Sequence, residues 1–81
     1  MYGVGMDRDT LLTQLQAARR RLDATEKLVV DQMQLIDSLR ALGTDTRMAE
    51  DTLTIWLITQ EEYAAELEAI LDALDRIPLA E

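Results

Sequence analysis

The chain has no cysteine and no histidine, and only one proline and three glycines among its 81 residues. Without cysteine there is no disulfide, and without cysteine or histidine there is no zinc site of the usual nitrogen or sulfur type. A thiol nucleophile and an imidazole base are excluded with them. Long apolar runs are missing too: the longest stretch of large apolar residues is the four from Ile55 to Ile58, against the roughly 20 that a membrane-spanning helix needs. Residues Met1 to Arg8 lack the basic start and apolar centre of a secretory signal. These absences, with a cysteine-free composition that suits a reducing compartment, lead to the expectation of a cytoplasmic protein with no membrane partner.

Catalytic equipment is equally sparse. Ser38 is the only serine and has no histidine to activate it, while Gly3 and Gly5 precede no strand that could make them a phosphate-binding loop. Tyr63 and the carboxylates can move protons, but a rod of helices offers no cleft in which to do so. The expectation is a protein that is not an enzyme and holds no cofactor or metal.

What the chain does contain is helical periodicity. From Asp7 to Leu42 there is no Gly or Pro. Leu15, Leu22, Val29 and Ile36 recur every seven residues, with Leu11, Ala18, Thr25, Gln32 and Leu39 interleaved at intervals of three and four. This is a heptad seam. Leu28, Leu35 and Leu42 form a second seven-residue row beside it, wide enough for a bundle rather than a two-stranded coil. Asp7, Asp9 and Thr10 can cap the start of this helix.

Gly43-Thr44-Asp45-Thr46 is the only interruption in the middle of the chain. Gly43 can close the first helix in the left-handed conformation, and Asp45 or Thr44 can cap the second. So short a link makes the helices antiparallel neighbours. The second seam reads Leu53, Trp56, Gln60, Tyr63, Leu67, Ile70, Leu74 and Ile77, widened by Leu57, Ala64 and Leu71. Pro78 disfavours helix at Ile77. The expected organisation is a leader at residues 1–6, one domain over 7–77 with helices at about 8–42 and 46–76, and a tail at 78–81.

Folding about Thr44 sets partner residues to sum to roughly 88 or 89, which puts Ile36 near Leu53, Leu22 near Leu67 and Leu15 near Leu74. Thr25, Gln32, Gln60 and Tyr63 then fall together in the middle of the hairpin, where their amides and hydroxyls could pair as a polar layer or lie at the seam's edge.

The stretch Thr52 to Thr59 is the focus of the pattern. Ile55, Trp56, Leu57 and Ile58 occupy about one helical turn, so one neighbouring helix cannot cover all four. An 81-residue chain without metal or disulfide is marginal as a monomer, and oligomerisation is the remaining support. The fold class expected is therefore all-α: an antiparallel two-helix hairpin dimerising into a four-helix bundle. Its interface is drawn from Leu28, Leu35, Leu42, Ile55, Trp56, Leu57 and Ile58.

The formal net charge is −8. Residues 7–42 are neutral, with six bases and six acids, whereas residues 45–76 carry nine acids against Arg47 and Arg76. Arg19, Arg20 and Arg21 point in different directions on a helix and lie opposite Glu66 and Glu68, so interhelical ion pairs are expected rather than nucleic-acid binding. Glu62 and Glu66 share a helix face, but bundle carboxylate metal sites also use histidine, which leaves a solvated acidic face of Glu61, Glu62, Glu66 and Glu68.

Two functions fit. The first is a non-enzymatic interaction or structural protein that self-associates or lends its apolar stripe to another protein. The alternative is an acidic inhibitor or decoy, of phage or antitoxin type, that binds a basic protein.

Three segments carry a resemblance: Met6-Asp-Arg-Asp-Thr-Leu-Leu12, Gln32-Met-Gln-Leu-Ile-Asp-Ser-Leu39 and the turn Gly43-Thr-Asp-Thr46. With them the chain resembles, over roughly residues 6 to 74, a set of short bacterial helical-hairpin proteins frequent in alphaproteobacteria. The resemblance implies the hairpin as the unit and Met6 as a possible start, and it carries over no activity or site residue. At Lys27-Leu-Val-Val30 the chain departs from that set's charged first helix, which favours stronger self-association here.

Overall fold

The computed structural model describes residues 7–77. The expectations for the leader, Met6 and the tail lie outside the described residues. Among the described residues there are two helices, α1 (Arg8–Ala41) and α2 (Arg47–Arg76), packed antiparallel against each other as a hairpin.

Each helix end follows from local chemistry. The Asp7 carboxylate accepts a hydrogen bond from the Thr10 N–H at 2.8 Å, satisfying a donor that the first turn leaves unpaired. At the other end of α1, Gly43 has φ of 71°, its N–H donates to the Arg40 carbonyl at 3.0 Å, and the Thr44 N–H donates to the Leu39 carbonyl at 2.9 Å. That pair of bonds is the Schellman closure, which needs a left-handed residue and therefore favours glycine. Regular helix stops at Ala41, one residue before Leu42, because the Leu42 N–H is shared between the Ser38 and Leu39 carbonyls as the last turn tightens.

The start of α2 departs from the simple cap. Thr46 occupies the cap position but makes no side-chain bond to the backbone. Its hydroxyl donates to Glu50 at 2.7 Å, and it is Asp45 that accepts the Arg47 N–H at 3.0 Å. Asp45 also pairs with the Arg47 guanidinium at 2.7 Å. The helix ends at Arg76, and Ile77 is extended at φ −79° and ψ 123°, as a residue before proline prefers.

The buried residues of α1 are Leu11, Ala18, Thr25, Val29 and Ile36, and those of α2 are Ala49 and Ile70. All but Ala49 belong to the two heptad rows, and Ala49 extends the second row toward the turn. Two interhelical ion pairs mark the register: Arg21 with Glu66 at 2.9 Å and Arg40 with Glu50 at 3.0 Å. Their residue numbers sum to 87 and 90, bracketing the 88 or 89 read from the turn.

The apolar cluster farthest from the turn joins Leu11, Ala18 and Ile70, with Leu15, Leu67, Leu74 and Ile77 against it. The molecule is a rod of 63 × 17 × 15 Å with a radius of gyration of 18.4 Å, against about 12 Å for a compact chain of this length. No large side chain among the described residues is fully buried. Two helices in contact have a seam but no enclosed interior.

Candidate functional site

The two ion pairs lie on opposite edges of the seam, and they sort every other position. Arg21 shares its seven-residue row with Gln14, Leu28, Leu35 and Leu42, and Glu66 shares its row with Thr52, Thr59 and Ala73. These two rows therefore flank the seam on one side of the hairpin. Arg40 shares a row with Leu12, Arg19, Glu26 and Met33, and Glu50 with Leu57, Ala64 and Leu71. These flank the other side.

The two sides differ in charge. With the next row outward included on each helix, the Arg40–Glu50 side carries eight acids (Asp9, Asp23, Glu26, Asp37, Glu50, Glu61, Glu68, Asp75) against Arg19, Arg40 and Arg47. The Arg21–Glu66 side carries Asp31, Glu62 and Glu66 against Arg21 and Arg76. One side is at −5 and the other at −1.

On the less charged side, Leu28, Leu35, Leu42, Met48 and Ile55 are all exposed, and they lie in the half of the rod nearest the turn. Leu42 and Met48 are 77% and 85% exposed, values at which a large apolar side chain contributes little to the monomer. Between these rows run Thr52 and Thr59. Their hydroxyls donate to the Met48 and Ile55 carbonyls at 3.1 and 2.9 Å. A threonine hydroxyl satisfied by its own helix leaves its methyl outward, so this polar-looking row is an apolar floor.

The residues expected at the interface are not all on this face. Leu28, Leu35 and Leu42 are on it, and Ile55 is at its α2 margin. Trp56 points into the seam and is half-buried. Leu57 is exposed on the opposite, acidic side, and Ile58 on the back of α2. Successive helical residues are about 100° apart, so four in a row cannot share a surface. Met48, Thr52 and Thr59 were not among the expected residues, although Met48 and Ile55 are seven apart and so are the two threonines.

Among the described residues no hydrogen bond links any two of Thr25, Gln32, Gln60 and Tyr63. Thr25 is buried and its hydroxyl donates to the Arg21 carbonyl of its own helix at 2.8 Å. The Gln32 amide instead reaches along the seam toward the turn and donates to the Ala49 carbonyl at 2.9 Å. Alanine at that seam position leaves the α2 backbone open to the longer side chain. Tyr63 lies under the Arg21 guanidinium, 5.6 Å from its ring centroid, so one arginine spans both Tyr63 and Glu66.

Glu61, Glu62, Glu66 and Glu68 are also divided. Glu61 and Glu68 share the acidic side, whereas Glu62 and Glu66 lie toward the other, with Glu66 tied to Arg21. Among the described residues no group of three acids could hold a metal ion, and no helix is long and apolar enough to cross a membrane. A surface depression of about 460 Å³ is lined by Asp23, Glu26, Lys27, Val30 and Asp31 of α1 alone. A single helix flank does not enclose a substrate.

Perturbed carboxylates sit at the helix starts. The Thr10 N–H holds Asp7 below the usual aspartate range, and the Arg47 guanidinium and N–H do the same to Asp45. Glu50 is lowered chiefly by the Thr46 hydroxyl and then by Arg40. These shifts belong to capping and ion pairing rather than to a reaction centre.

No protein-family description, curated protein or solved structure matches the chain.

Proposed function

We propose that the protein is a non-enzymatic helical interaction protein whose working form is a homodimeric four-helix bundle, built when a second copy covers the Leu28–Leu35–Leu42 face. The supporting observation is the position of that face. Five large apolar side chains are exposed together on the side of the rod with the least charge, in a hairpin too thin to enclose an interior. Apolar patches of this kind mark association surfaces, and a small domain without metal or disulfide gains the burial it lacks by oligomerising. The acidic side then faces solvent and keeps the assembly soluble.

The test is solution mass by light scattering over a wide concentration range, with thermal melting followed in parallel. A dimer mass with a melting temperature that rises with protein concentration is expected. A folded monomer throughout would refute the proposal.

The concentration of eight acids on the Arg40–Glu50 side favours a second reading, an acidic surface that docks a basic protein in place of phosphate. Nucleic acid itself is the wrong partner for a chain of this charge. Charge reversal at Glu61 and Glu68 must abolish competition with DNA for such a basic protein. Unchanged competition would dismiss this reading.

A further inference from the structure

Resting on the homodimer proposed above, we infer that the second copy seats with its turn at the same end of the bundle, so that the leucine row of each hairpin fills the threonine row of the other. On one side of the seam stands a ridge, Leu28, Leu35 and Leu42; on the other lies the lower row Thr52 and Thr59, whose hydroxyls are turned into their own helix. The Arg21–Glu66 register, with residue numbers summing to 87, places Leu28 level with Thr59 and Leu35 level with Thr52.

A two-fold axis along the rod places α1 of one copy over α2 of the other at the same level. Leu28 then meets Thr59 of the second copy and Leu35 meets Thr52, large against small, which is how ridges and grooves interdigitate. A two-fold axis across the rod places α1 over α1 and α2 over α2. Where only the turn-proximal halves overlap, leucine then meets leucine, and the two threonine rows face each other across a gap.

Charge selects the same arrangement. With the axis along the rod, Arg21 of each copy lies level with Glu66 of the other as well as with its own. The two intramolecular pairs become one alternating ring of four charges. With the axis across the rod and full overlap, the leucines press onto the Arg21–Glu66 end and bury an ion pair under apolar side chains, an unfavourable exchange.

Shifting the copies so that only their turn-proximal halves overlap avoids that clash but shortens the contact. At 1.5 Å per residue and 17 Å across, the half-overlap covers roughly 400 Å² per copy in plan, whereas alignment along the 30 residues of α2 covers roughly 750 Å². A stable dimer needs about 800 Å² per partner.

The chain has no cysteine, so Thr13→Cys and Thr44→Cys each give one spin-label site per copy, at the far end and at the turn. In the full-length dimer, pulsed electron resonance should give distances of roughly 20–35 Å at both sites, the width of a bundle. A half-overlapped antiparallel dimer would separate the Thr13 labels by roughly 65 Å, and a fully overlapped one would separate the Thr44 labels by roughly 55 Å. Either result with a dimer mass would overturn the seating and leave the dimer standing. A monomer mass would overturn both.

Substitution in the groove gives an independent readout of opposite sign. Thr52→Leu removes the space that Leu35 enters and should raise the dimer Kd roughly tenfold or more. Thr52→Val, which keeps the outward methyl, should leave the Kd within about threefold. Tightening on Thr52→Leu would mean that the threonine rows face each other, and would overturn the inference. Helical circular dichroism must stay unchanged in both variants, as expected because leucine favours helix more than threonine does.

Discussion

Replacing Ile70 with alanine measures how much the thin seam holds the hairpin together. Ile70 is 8% exposed and closes the cluster of Leu11 and Ala18. The substitution removes three carbons, and at about 0.8 kcal/mol per buried methylene the transfer loss is about 2.4 kcal/mol. A cavity contribution adds little here, because the site lies in a seam between two helices whose Arg40–Glu50 side stays open to water, and solvent can enter it. The expected cost is thus about 2–3 kcal/mol, in the lower half of the range for isoleucine truncation in closed cores. For a chain of this size it corresponds to a fall in melting temperature of roughly 10–20 °C.

The comparison is Ile58→Ala, which makes the same chemical change on the back of α2 at 52% exposure. It should cost no more than about 0.5 kcal/mol, since the better helix propensity of alanine offsets most of the lost burial. Urea denaturation of both variants at fixed protein concentration gives the two values. Equal losses would mean that the back of α2 is as buried as the seam, and would refute a core confined to the seam.

Gly43→Ala places a methyl in open space but at φ of 71°. Its expected cost is about 1 kcal/mol of backbone strain, seen as a lower urea midpoint with an unchanged slope. Gln32→Ala removes the amide donor to Ala49 and should cost about 1 kcal/mol, while Gln60→Ala, with no such bond among the described residues, should cost less in the same titration. Stability should be flat between pH 6 and 8, because the chain has no histidine. Asp7, Asp45 and Glu50 have folded-state values below their ordinary 3.8 to 4.5. Their contribution is therefore present at neutral pH and is lost as pH falls through and below that range. Urea midpoints at pH 7, 5 and 3 check the sign, and Asp7→Ala should flatten the acid limb.

Much of the hairpin is legible in the residues because it depends on local rules. The seven-residue rows locate the seam, Gly43 has the freedom its left-handed closure needs, and a short turn determines the register to within one or two residues. The interface is less legible. Leu28–Leu35–Leu42 and Leu57–Ala64–Leu71 both read as rows that widen a seam, and sequence alone does not tell which rows share a side. The Arg21–Glu66 and Arg40–Glu50 pairs place them on opposite sides of the rod.

The cluster Ile55 to Ile58 draws attention by adjacency, yet its four side chains are distributed around α2. Thr52 and Thr59 pass as polar until their hydroxyls are found bonded to their own helix. Gln32 belongs at the level of Trp56 by register, but its length lets it reach the backbone exposed at Ala49.

The most direct test of self-association through the leucine face compares solution mass for the unmodified chain, Leu35→Glu and Met33→Glu. Leu35 and Met33 are exposed to similar degrees, 46% and 51%, on opposite sides of the same helix. A dimer is expected for the unmodified chain and for Met33→Glu, and a folded monomer for Leu35→Glu. A monomeric parent chain, or loss of the dimer on Met33→Glu with Leu35→Glu unaffected, would contradict it.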